Sequence, residues 1–135
     1  MQLITNEIRT AWLEIGGYIA AGDGLSDEEA ASLAGSASGP EMELDVCLAA
    51  IHRGAGYDAV PANVVEQAKA ADHFIRLQCL SEVFGASAVD GVTEPEWTRI
   101  REVADQVIGA EKGAQFIRVC ELELELDQAR SSLLE

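Results

Sequence analysis

The sequence predicts an all-α fold, a bundle of about six helices, on three observations. Of its 135 residues 48% are apolar and only 5% aromatic. A core of Ala, Leu, Ile and Val favours closely packed helices over a sheet. Apolar residues recur at spacings of three and four through most of the chain. A short acidic phrase also occurs twice, at an offset of 67 residues between Asp23 and Asp90: Asp23-Gly24-Leu25-Ser26-Asp27-Glu28-Glu29 and Asp90-Gly91-Val92-Thr93-Glu94-Pro95-Glu96. Each copy follows an Ala-rich stretch and leads into helical spacing. The expected organisation is one domain, 1–135, with a helix–turn–helix repeat whose units are about 5–53 and 62–133.

The first helix is expected over Thr5 to Ala21, with Ile8, Trp12, Ile15 and Ile19 on one stripe. Gly16 and Gly17 each weaken it by roughly 1 kcal/mol relative to Ala, so their use suggests a close approach by another helix. Ser26 starts the second helix through a Ser-x-x-Glu capping box with Glu29. Ala30, Leu33, Ala34 and Ala37 give that helix a small apolar face, and 35–40 (Gly-Ser-Ala-Ser-Gly-Pro) ends it. The third helix is expected over Glu41 to Arg53, with acids at its start and His52 and Arg53 at its end, as the helix macrodipole prefers. Gly54 to Asp58 reads as a loop. Pro61 and Asn63 mark the next start, and one long helix is expected over Ala62 to Ala88. Its stripe is Val64, Ala68, Ala71, Ile75, Cys79 and Val83.

Thr93-x-x-Glu96 is the second capping box, opening a helix to about Gly109 on Trp97, Ile100, Val103, Ala104 and Val107. The last segment holds a conflict. Glu121 to Leu126 alternates Glu and Leu with period two, as a strand would. Phe116, Val119, Leu122, Leu126, Ala129 and Leu133 nevertheless form a helical stripe, Glu and Leu favour helix, and no partner strand is evident. Helix is the prediction.

The formal net charge is −15. Phosphate backbones and anionic lipid repel such a surface, so nucleic acid is not an expected partner. A cation or a partner protein with a basic surface is the natural counterpart. Cys47, Cys79 and Cys120 sit among apolar neighbours without a Cys-x-x-Cys pair, as buried reduced thiols would in a cytoplasmic protein. No apolar run is long enough for membrane insertion, and Met1 to Glu7 does not read as a signal peptide.

The capping roles of Ser26, Glu29, Thr93 and Glu96 need no ligand. Asp23 and Asp90 are different, because each lies just beyond the carbonyl end of a helix, where negative charge is disfavoured. Asp-Gly is a common turn dipeptide, but a bound cation would explain both the carboxylate and its place. Such a site, built from Asp23, Glu29, Asp90 and Glu96, would be all oxygen and would suit a divalent cation of the Ca²⁺ or Mg²⁺ class, with Mn²⁺ as an option. The loop is too short and wrongly spaced for an EF-hand. His52 at a helix end reads as a dipole partner. Asp72 and His73 are helical neighbours that point about 100° apart. No nucleophile elbow, helical His-x-x-x-His pair or phosphate-cradling glycine loop is present, so no enzyme activity is expected.

The twice-repeated pattern of Ala-rich helix, Asp-Gly-aliphatic-Ser/Thr-acid-x-Glu and amphipathic helix resembles the tellurite-resistance TerB-like family, from about Ile8 to Leu133. The resemblance implies an all-helical fold with an internal repeat, divalent-metal binding at Asp23, Glu29, Asp90 and Glu96, and a bacterial stress-response or defence setting. Family members usually place Glu seven residues after Asp; here the interval is six in both copies. Three functional readings remain: a non-catalytic cation-binding and protein-interacting domain, a metal-free scaffold whose turns only cap helices, and a metal-dependent hydrolase using the same carboxylates.

Overall fold

The computed structural model describes residues 4–35, 42–88 and 91–135. Seven α-helices run through them: α1 (Asn6–Ala20), α2 (Asp27–Ala34), α3 (Leu44–Ala55), α4 (Ala62–Lys69), α5 (His73–Ser87), α6 (Glu94–Ile108) and α7 (Ala110–Ser132). There is no strand among the described residues, so the Glu–Leu alternation of α7 is helical. Among the described residues no helix is long and apolar enough to cross a membrane.

The chain winds around α1. Thr5 caps it by accepting from the Ile8 N–H at 3.2 Å, and every residue from Ala11 to Ala20 is buried. A helix apolar nearly all round belongs inside, and α1 packs against α2, α3, α4, α5 and α6. Its one acid after the first turn, Glu14, accepts from the Tyr57 hydroxyl and lies 3.6 Å from Arg53 Nε. Trp12 joins the core, while Trp97 is half-buried against it and tilted against Phe84.

Glycine decides how closely α1 and α3 cross. A methyl group on Gly17 would fall onto the Ile51 carbonyl oxygen, and one on Gly54 onto the Glu14 carbonyl oxygen. The close approach expected at Gly16-Gly17 is therefore present, with Leu33 covering Gly16. Gly54 is not the loop residue expected: α3 continues through it to Ala55 because its bare backbone is part of the crossing. The expected end of the second helix near Ala37, the 36–40 stop and the start at Glu41 lie outside the described residues.

The count is seven rather than six because the long helix expected over Ala62 to Ala88 is broken. Asp72 is extended (φ −69°, ψ 168°) and accepts from the Ile75 N–H at 3.0 Å, capping α5. Short polar side chains compete with the helix by this bond. Arg76 then reaches into the break. Its guanidinium donates to the carbonyls of Ala71 at 2.7 Å, Lys69 at 2.8 Å and Val107 at 3.2 Å, filling acceptors at the ends of α4 and α6. The apolar stripe survives: Val64, Ala68, Ala71, Ile75, Cys79 and Val83 are all buried.

The face of α7 also departs from expectation. Gly109, at φ +87°, turns the chain back, and Gly113, Phe116, Ile117 and Cys120 form the buried side against α6. Of the expected stripe only Phe116 is buried; Val119, Leu122, Leu126 and Leu133 are 50%, 47%, 49% and 85% exposed. Val119 and Leu122 lie on the side of α7 turned away from Gly113, Ile117 and Cys120. At 1.5 Å per residue α7 is also about 12 Å longer than α6, so Leu126 and Leu133, on its last turns, run past the helix they lie on.

All three cysteines are free and buried. Burial pushes the Cys79 and Cys120 thiols up to about 12.

Candidate functional site

In their described residues the two acidic turns share a glycine at positive φ that donates back to the end of the preceding helix. After α1, a single 3-10 turn (Ala21–Asp23) leads to Gly24 at φ +101°, whose N–H donates to the Ala21 carbonyl at 3.2 Å. After α5, Gly91 stands at φ +90° and donates to the Ala88 carbonyl at 3.1 Å. Positive φ is the reason each turn uses glycine. Neither glycine has an atom close enough to meet an added methyl group, so conformation and not space demands it.

Both capping boxes form. The Glu29 N–H donates to Ser26 Oγ at 3.0 Å, and the Ser26 N–H donates to Glu29 Oε1 at 3.0 Å. At the second turn the Glu96 N–H donates to Thr93 Oγ1 at 3.4 Å, and the Thr93 N–H donates to Glu96 Oε1 at 3.0 Å. Each glutamate thus spends one oxygen on its cap and holds the other in a fixed place.

The turns lie side by side. A methyl group on Gly22 would come within 2.9 Å of the Glu96 nitrogen and 3.0 Å of the Pro95 carbonyl carbon, so the first turn rests on the first turn of α6. Glu96 is 1% exposed, and its Oε2 is buried with no hydrogen-bond partner among the described residues. Burial raises its carboxyl to about 7; hydrogen bonds from Thr93 oppose the rise, and the charges of Asp23 and Glu29 add to it. Glu29 is buried and Asp23 exposed. The structure therefore brings Asp23, Glu29 and Glu96 into one neighbourhood. Asp90 lies outside the described residues.

These three do not converge as a finished ligand cluster: among the described residues no three His, Cys, Asp or Glu side chains form a ready-made metal-holding group. The donor chemistry is nonetheless that of a hard cation. It comprises carboxylate oxygens at two helix starts, one of them buried and unsatisfied, beside the carbonyl end of α1. Elsewhere, the Glu14–Tyr57–Arg53 cluster and the Arg76 carbonyl clamp were not anticipated. Both join residues distant in the chain, and no local pattern announces them.

The chain matches no family model, no curated protein and no solved structure.

Proposed function

We propose that this chain is a non-catalytic, acidic helical domain that takes a divalent cation of the Ca²⁺ or Mg²⁺ class at one site shared by its two turns. It would present its negative surface to a partner protein with a basic face. The bacterial stress-response or defence setting rests on the TerB-like resemblance, and the repeat of 5–53 and 62–133 on the acidic phrase duplicated 67 residues apart. One observation carries the reading: Glu96 Oε2 is buried, lacks a hydrogen-bond partner among the described residues and lies near Asp23 and Glu29. A buried polar atom without a partner costs about 1–3 kcal/mol, and a cation would satisfy it while neutralising its acidic neighbours. Asp23, Glu29 and Glu96 are the residues that would hold the ion, with Asp90 the fourth candidate.

Calorimetric titration of chelator-treated protein with Ca²⁺ and with Mg²⁺ tests this. Heat is expected at pH 8, with affinity falling by up to about tenfold per unit below pH 7, because the ion must displace the Glu96 proton. Asp23→Asn and Glu96→Gln should each abolish the heat with the helical spectrum unchanged. Trp97, next to Glu96 and against Phe84 at 5.8 Å, should report binding by fluorescence. Silence at pH 8 from the unmutated chain would remove the cation from the proposal.

A second reading has its own support. Both capping boxes are complete without any ion, as in a metal-free interaction scaffold. Under that reading the titration is silent and Asp23→Asn changes nothing.

A further inference from the structure

The outward side of α7 is unexplained by the bundle. Val119, Leu122, Leu126, Ala129 and Leu133 follow one another at intervals of three, four, three and four. This is the a/d repeat of a coiled-coil seam. At 100° per residue these positions lie roughly opposite Gly113, Ile117 and Cys120, the side that packs on α6. Their exposures of 47–85% for the large side chains agree, with nothing covering them among the described residues.

We infer that this seam pairs with the same seam of a second copy, as a short parallel two-helix coiled coil. The inference is independent of the cation reading. It rests on the charges that flank the seam. Arg118 and Glu125 line one edge and Glu123 and Arg130 the other. In a parallel, in-register pair the leading edge of one helix faces the trailing edge of the other, five residues further on. Arg118 then meets Glu123 of the other copy, and Glu125 meets Arg130. Twofold symmetry makes each contact twice. Both heptads are complementary. Arg118 already lies along this edge, 4.0 Å from Glu125 of its own helix.

Other occupants fit less well. An antiparallel pair that keeps Val119 through Ala129 in the seam sets Glu123 against Glu123 and Glu125 against Glu125. An antiparallel register shifted to relieve this leaves Val119 out. A uniformly basic helix would meet Arg118 and Arg130, and an anionic membrane would meet Glu123, Glu125 and Asp127. The mixed edges match a partner with the reverse arrangement, which this chain itself supplies.

Two heptads are too few for an isolated coiled coil, but this helix does not have to nucleate. Its first half is held on α6 through Phe116, Ile117 and Cys120, so the overhang is presented already wound and the cost of the first turn is absent. Beside the start of the seam a cleft of about 370 Å³, lined by Leu77, Phe84, Phe116 and Val119, extends the apolar surface towards α5.

Sedimentation equilibrium of the full chain, taken up to about 1 mM so that a weak pair is populated, tests the inference. Dimer is expected to rise with concentration, and to rise further with added salt as the −15 charge on each copy is screened. Leu126→Asp, at an exposed position, should leave a monomer with an unchanged helical spectrum. Arg118→Glu should weaken association at moderate salt by roughly fivefold to tenfold, since two attractive pairs become repulsive. Adding Glu123→Arg to that variant should restore it. A monomer at the highest concentration and salt would overturn the inference, and so would a dimer indifferent to Leu126→Asp. Failure of the charge swap to rescue would overturn the parallel arrangement.

Discussion

Replacing Glu96 by Gln should make the metal-free protein more stable at pH 8 and leave it unchanged at pH 4. The carboxyl moves from an ordinary value of 4.5 to about 7 in the folded chain, chiefly by burial. At 1.36 kcal/mol per tenfold, that rise corresponds to about 3 kcal/mol. Below pH 4.5 the group is protonated in both folded and unfolded chains and contributes no pH-dependent difference. As pH rises towards 7 the unfolded chain ionises first, and above 7 the folded chain carries the full cost of a buried charge. Stability is therefore lost as pH rises through this window. Glutamine keeps an oxygen for the Thr93 N–H and carries no charge, so it mimics the protonated acid at every pH. Urea unfolding in chelator, followed by circular dichroism at half-unit steps from pH 4 to 8.5, should give a difference between variant and parent that is near zero at pH 4. It should grow to about 3 kcal/mol by pH 8. Glu82, also raised by burial, titrates in both proteins and cancels in the difference. A flat difference across the range would refute the reasoning, because Glu96 would then be as solvated folded as unfolded.

Three further outcomes are expected. Gly17→Ala should cost well over 3 kcal/mol or prevent folding, because its methyl group meets the Ile51 carbonyl, a backbone atom that cannot move aside. Gly85→Ala, in a helix with open space around it, should stabilise by a few tenths to 1 kcal/mol, and thermal melts of the pair compare the two directly. Asp72→Ala removes the α5 cap and should cost about 1 kcal/mol in a melt. If the cap alone sets the α4–α5 break, the variant also gains helical signal; if Arg76 holds it, the signal stays constant.

Helix existence was legible because it is written in short-range terms. The stripes of α1 and α6 and the two capping boxes lie within a few residues, and each formed as expected. What escaped was settled by partners distant in the chain. The break before α5 turns on Asp72, whose capping tendency is visible, and on Arg76, whose targets include the Val107 carbonyl 31 residues away. Gly54 reads locally as a helix stop, and only the backbone of Glu14 against it shows why the helix continues. The stripe on α7 is real at the level of periodicity. Which side faces inward depended on Gly113 fitting against Ala104 and Asp105, and on α6 ending where it does. At the candidate site, the caps were readable but the burial of Glu96 was not. That follows from Gly22 lying on the α6 backbone.

Charge, and not capping, is the feature of these turns that asks for an explanation. A capping box works as well with glutamine as with glutamate, and glutamine would bring no ionisation cost. The exposed acids Asp27, Glu28 and Glu94 already complement the positive starts of α2 and α6. Glu96 adds nothing there that its neighbours lack, yet it is buried, and its carboxyl is raised further by Asp23 and Glu29. A fold optimised only for stability would discard that acid. Its hydrogen bond to Thr93 fixes one oxygen and thereby aims the other, so the geometry is set before any ligand arrives. The unmet requirement is for something positive at that second oxygen. A proton satisfies it below pH 7, and above pH 7 the divalent cation proposed above would do so while also answering Asp23 and Glu29.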